Sequence, residues 1–242
     1  MHANITVINI ITNQENFKTD IEWLTSYHHF SFGEHFHPDK VNFGHMRVFN
    51  DDIIQPGKGF GFHQHHDMEI VTYVVDGTLE HKDNFGNCGI IEPGEVQRMS
   101  AGTGIFHSEY NHSTTKPLKL LQVWIRPNQK GLEPSWEQQK FLPEERLNKM
   151  LCVVSPKPND SLLIHQDVSF YVCRLDDSEV RHDFEKNRMG YLFVISGSVQ
   201  INGMQLHAKD SAKIQDEQSI VVKSSSPSEM MLIDLSADSL HL

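Results

Sequence analysis

The 242-residue chain is poor in cysteine, in basic residues and in long apolar runs. Its three cysteines, Cys88, Cys152 and Cys173, are odd in number, scattered and not in CxxC spacing. That argues against a disulfide framework and fits a reducing, cytoplasmic setting. Basic residues number 21 against 32 acidic ones, a formal net charge of −11. Phosphate backbones and anionic lipid surfaces call for basic faces, so neither nucleic acid nor a membrane surface is an expected partner. No apolar run approaches the roughly 20 residues needed to span a bilayer. The opening MHANITVINI lacks the basic-then-apolar order of a secretory leader. Helical periodicity is scarce as well. The best helical candidate is 134–151, PSWEQQKFLPEERLNKML, and Pro143 interrupts it.

Short runs rich in Val, Ile, Tyr and Phe dominate instead: MRVFND, EIVTYVV, LKLLQVWI, SFYVCRL, YLFVISG and SVQING. Turn signals separate them, at Asp76-Gly77, Pro93-Gly94 and Asn202-Gly203. Evenly spaced strands of this kind predict an all-β chain of barrels or sandwiches. The two halves share a loose pattern of strand, glycine turn, strand and corner. We therefore expect two small jelly-roll barrels in tandem, over residues 1–135 and 136–242. A monomer is the expected state.

Histidine is the outlier, with 16 residues. Alternate residues of a strand share a face, so His63 and His65 project together. In AGTGIFHSEYN, His107 and Glu109 stand two apart in the same way, behind Gly102 and Gly104, which permit a tight corner. If the two strands are neighbours, three imidazoles and one carboxylate converge. That set suits a divalent transition ion: iron, zinc, nickel, cobalt, copper or manganese. Glu69 is a second candidate carboxylate, but it lies about 13 Å beyond His65 along an extended chain and reaches the ion only if the chain turns at HHDM. His66 is expected to be exposed, and His81 to line the pocket or be solvated. His35 and His37 run into a proline turn. His112, His165, His182 and His207 show no partner spacing, and the second half has no HxH. It is expected to hold no metal. Phe60, Phe62, Met46, Met99 and Phe106 are candidate pocket walls.

Gly57, His63, His65, Glu69 and Gly77 resemble the first cupin motif, and Pro93-Gly94, Gly102, His107 and Asn111 the second. More closely, FSFGEHF, HQHHDMEIVTYVVDG, GTLEHKDNFG, PGEVQRMSAGTGIFHSEYN and QVWIRP resemble the pirin family, in order, over most of residues 27–127. The resemblance implies a bicupin with an iron-type metal, Fe(II), in the N-terminal barrel, its ligands matching His63, His65, His107 and Glu109. In pirins the carboxylate ligand is the one matching Glu109, whereas in many cupins it is the one matching Glu69. The resemblance further implies a dioxygenase that cleaves a flavonol such as quercetin with O2 and releases carbon monoxide. Glu109 is then the candidate catalytic base. The alternative it implies is a metal-binding, redox-sensing regulatory protein without turnover.

Overall fold

A computed structural model describes residues 7–237. Among them there is no α-helix, and no helix long and apolar enough to cross a membrane. The chain forms two compact units. One is Asn16–Phe141 with Leu162–Gln166; the other comprises, of the described residues, 7–15, 142–161 and 167–237. The strand Ser135–Lys140 thus lies wholly in the first unit, across the expected 135/136 boundary, and the N-terminal segment belongs to the second unit.

In the first unit a seven-stranded antiparallel sheet runs Ser135–Lys140, Glu95–Ser100, Glu69–Asp76, Leu118–Ile125, Met46–Ile54, Leu24–His28 and Phe17–Ile21. A four-stranded sheet runs Gly59–His65, Ile105–Asn111, Leu79–Asp83 and Cys88–Ile91. Apolar residues of both sheets meet in one core: Leu24, Ile54, Val74 and Leu120 pack with Leu79 and Ile91. These are the alternate residues that period-2 patterning directs inward. The unit is therefore a cupin-like pair of facing sheets, not a barrel closed all round by hydrogen bonds.

The second unit repeats the plan. Val7–Ile11 pairs with Ser211–Gln215, and that sheet continues through Arg188–Ser196, Ser228–Ser236, Val168–Leu175 and Leu151–Ser155. Four further strands, Ser178–Asp183, Ser219–Ser224, Ser198–Ile201 and Met204–His207, form its other sheet. Leu192, Val194, Val199, Ile201 and Leu232 are among the buried residues of its core. Asn202 and Gly203, both at positive φ, make the tight turn of the Ser198–His207 hairpin, as that dipeptide predicts.

The best helical candidate of the sequence, 134–151, contains no α-helix. Ser135–Lys140 is extended against Glu95–Ser100, with Trp136 opposite Met99, and only Pro143–Arg146 makes a 3-10 turn. The ladder and the packing of Trp136 against the core outweigh a weak local preference. At the corner before His107, Gly102 has φ +46°, and a Cβ there would lie 1.9 Å from the Leu132 carbonyl oxygen. A Gly102→Ala variant should therefore lose about 1–3 kcal/mol in urea unfolding. A change below ~0.5 kcal/mol would show that the corner adapts freely.

Candidate metal centre

The strand Ile105–Asn111 is central to the site because it pairs on both sides. Against Gly59–His65, His107 stands opposite His63. Against Leu79–Asp83, His107 stands opposite Asp83 and Glu109 opposite His81. Between His107 and Glu109 the first pairing slips, so that Glu109 faces Phe60. The slip leaves an extra residue on Gly59–His65 and reverses the inward parity there. Phe60 consequently enters the cavity with His63 and His65, while Phe62 is 62% exposed.

His63, His65 and His107 each offer a ligand nitrogen within 4.8 Å of the others. Nε2 of His63 and Nε2 of His107 lie 3.1 Å apart. The surrounding bonds settle which nitrogen carries the proton. His63 Nδ1 donates to the Gly61 carbonyl at 2.8 Å, which leaves Nε2 as the lone-pair nitrogen. For His107 the assignment runs through two residues. Asp83 accepts the backbone N–H groups of Phe85 and Asn87 and the Asn87 amide, and it lies 3.3 Å from His81 Nε2. Burial by itself would raise the Asp83 carboxyl, but these hydrogen bonds together hold it below the usual range. The ionised Asp83 only accepts, so His81 Nε2 is the donor and His81 Nδ1 carries the lone pair. His107 Nδ1, 3.5 Å away, then points its N–H at His81 and leaves Nε2 free toward the cluster.

Burial, reinforced by neighbouring imidazoles, pushes His65 and His107 down to about 3. For His65 the added causes are His107 and His63; for His107 they are His63 and His81. Both rings are thus neutral donors across the physiological range. The donor set fits a divalent ion: three convergent imidazole nitrogens, two of them on rings kept neutral by their surroundings.

Glu109 is 2% exposed and faces the same cavity as His63 and His65. It belongs to a second close group, with His81 and His107. Each of its oxygens receives a glutamine amide. Gln97 donates to Oε1 at 2.5 Å and Gln122 to Oε2 at 2.7 Å. Each amide is oriented in turn by an indole: Trp136 Nε1 donates to Gln97 Oε1 at 2.9 Å, and Trp124 Nε1 to Gln122 Oε1 at 3.1 Å. Trp136 also stacks on His81, centroids 4.9 Å apart and 10° from parallel. Gly89 makes that possible, since a Cβ there would come within 2.3 Å of the indole.

Glu69 lies outside both groups. It is fully buried, accepts the Ser100 hydroxyl at 3.0 Å and the His165 amide at 3.2 Å, and has an Oε1 without a partner. His81 is neither solvated nor in the cavity wall; it is completely buried behind His107. Met46 and Met99 are core residues, and Phe106 is 45% exposed, so of the five candidate walls only Phe60 lines the cavity. His66 is exposed and paired with Asp67, and His35 stacks on Phe17. Among the described residues no further group of three converging ligands occurs. His182 pairs instead with Asp234 at 2.8 Å. Gln97, Gln122 and Asp83 were not singled out from the sequence, and His81 was read as a pocket-lining or solvated residue rather than as the partner behind His107. The EVQ and QVW blocks and the HxD of HKD carry them, but nothing in those strings marks depth.

The cavity measures about 280 Å³. Phe60, His63, His65 and Glu109 come from the four-stranded sheet, and Gln122 and Trp124 are among those from the seven-stranded one. That volume is near the lower end of small-molecule sites.

Comparison with known proteins agrees with this architecture. Residues 10–125 match the family model described as Pirin, and residues 152–235 the one described as Quercetinase C-terminal cupin domain. A protein named quercetin 2,3-dioxygenase from Escherichia coli K12 is 44% identical over 215 residues, covering 88% of this chain and 92% of that one. A pirin-like protein from Caulobacter vibrioides is 40% identical over 218 residues, with 89% and 94% covered. The crystal structure of bacterial pirin YhhW from Escherichia coli in complex with nickel(II) has a TM-score of 0.91 and 41% identity, covering 96% of this chain and all of that one.

The neutral rings of buried His107 and half-buried His65 have a consequence for the metal-free protein. An unfolded chain takes up their protons near 6.5 and the folded chain only near 3, so their contribution is present above about pH 6.5 and lost as pH falls toward 3. In chelator-treated samples, the stability difference between wild type and His107→Gln should shift against the wild type across that window. A difference independent of pH would contradict the neutral cluster.

Proposed function

The chain belongs to the pirin family, and from that premise we propose that it is a metal-dependent dioxygenase of the quercetin 2,3-dioxygenase type. The observation that carries the reading is one cavity whose wall holds two of three convergent imidazoles together with a buried, doubly anchored carboxylate. His63, His65, His107 and Glu109 are the proposed ligands, and iron(II) the proposed ion. A bound divalent ion supplies Lewis-acid polarisation and a meeting point for substrate oxygen and O2.

The remaining work falls to the side chains. Phe60 and Trp124 wall the cavity with aromatic surface that suits a planar, flavonol-like ring and excludes water. Glu109 keeps a second acceptor position on each oxygen beyond the glutamine bonds. It can therefore take the proton of a 3-hydroxyl placed beside it. The Trp–Gln pairs prevent the carboxylate from rotating as that proton arrives. His81 and Asp83 hold His107 in the tautomer that presents Nε2. The overall change is cleavage of the flavonol by O2 with release of carbon monoxide.

Oxygen uptake and carbon monoxide release, measured with quercetin and iron(II)-loaded protein, test the reading. Turnover dependent on both flavonol and metal is expected. No turnover with any first-row divalent metal would leave a binding or sensing protein. Glu109→Gln should cut turnover about 10²–10⁴-fold, the usual weight of a general base. It is a less innocent change than its shape suggests, because its amide meets Gln97 or Gln122 donor to donor. His81→Phe should weaken metal affinity about 10–100-fold in a chelator competition. Unchanged affinity would remove His81 from the account.

A further inference from the structure

The seven-stranded sheet turns a polar face to the cavity. Alternation directs Ser26 and His28 from one strand, Asn50 and Asp52 from the next, and Gln122 from the third into the same space. Next to them the inner face of this sheet carries Leu24, Ile54, Val74 and Leu120. Most of these polar groups satisfy one another. His28 Nδ1 meets Asn50 Oδ1 at 2.9 Å, and the Thr19 hydroxyl meets His28 Nε2 at 2.9 Å. Gln122 is held between Trp124 and Glu109.

Asp52 differs. It is 3% exposed, the Ser26 hydroxyl hydrogen-bonds its carboxyl, and Oδ1 has no hydrogen-bond partner. No cation pairs with it among the described residues. A buried acid left one partner short is costly, and a sheet interior has no need of one. Its place in the wall of a cavity that also presents the imidazoles and Glu109 gives it a use.

We propose that Asp52 is a specificity-determining residue that receives a second phenolic hydroxyl of an aromatic substrate, the first being the one presented to Glu109 and the imidazoles. The proposal rests on the reading of this cavity as a flavonol-type site. Burial, opposed by the Ser26 bond and reinforced by the charges of Asp51 and Glu109, pushes the Asp52 carboxyl up to about 7. Near neutral pH the group can therefore accept from a hydroxyl or donate to one. A ligand that lacks the second hydroxyl leaves the carboxyl as poorly satisfied as before, so the site discriminates by the hydrogen bond it was built to complete.

The test is anaerobic binding to the metal-loaded protein, read by quenching of tryptophan emission. Quercetin is compared with its ethers methylated at every position but the 3-hydroxyl. Wild type should prefer quercetin by about 10–100-fold, the weight of one hydrogen bond to an ionisable group. Asp52→Leu, which removes the acid but keeps its branched shape, should bring the ratio close to one. A folded Asp52→Leu protein that keeps the full preference overturns the assignment. So does a wild type that binds both ligands equally, a result that needs no variant. If wild type binds neither flavonol, the reading on which the proposal rests falls with it.

Discussion

The site depends on how a buried carboxylate is held. Glu109 is 2% exposed and shares its surroundings with three imidazoles, and among the described residues no lysine or arginine pairs with it. Two glutamine amides, each aimed by a tryptophan N–H, take the place of water on its two oxygens. An amide can present either its oxygen or its nitrogen; the indole decides which. Without Trp124 and Trp136, Gln122 and Gln97 could rotate, and the carboxylate would lose the donors that make its burial tolerable.

The same economy governs the histidines. Asp83, fixed by the turn at Phe85–Asn87, dictates the His81 tautomer, and His81 dictates that of His107. Trp136 joins the two systems, stacking on His81 while it orients Gln97. A single indole on the strand Ser135–Lys140, a stretch with a helical look in the sequence, therefore supports both the imidazole and the carboxylate sides. Its seat exists because residue 89 has no side chain.

Much of this could be read from the sequence, and the reasons for the rest are physical. The HxH and HxE pairs were legible because a strand repeats every two residues, which makes shared faces visible in the string. The same rule should have placed Phe62 and Phe106 outside, since they alternate with His63 and His107; Phe60 escapes the rule only through the bulge. Glu69 and Glu109 could not be separated by motif alone. In the structure Glu69 accepts from Ser100 and the His165 amide through one oxygen, whereas Glu109 faces the cavity with His63 and His65. Asp83, Gln97, Gln122 and Asp52, and the place of His81 behind His107, were illegible because they depend on which strand lies behind which, a matter of sheet order. The exchange of the N-terminal strand into the second unit was hidden for the same reason.

The central claim is that His63, His65, His107 and Glu109 together make one metal centre. A crystal structure of the metal-loaded protein, with anomalous scattering collected at the edge of the bound metal, tests it most directly. A single strong peak is expected in the N-terminal unit, bonded to Nε2 of His63 and His107, to His65, and to a Glu109 oxygen, at the roughly 2.0–2.2 Å usual for such ligands. A peak coordinated by Glu69, or one seated on His81 with His63 and His65 unligated, would contradict it.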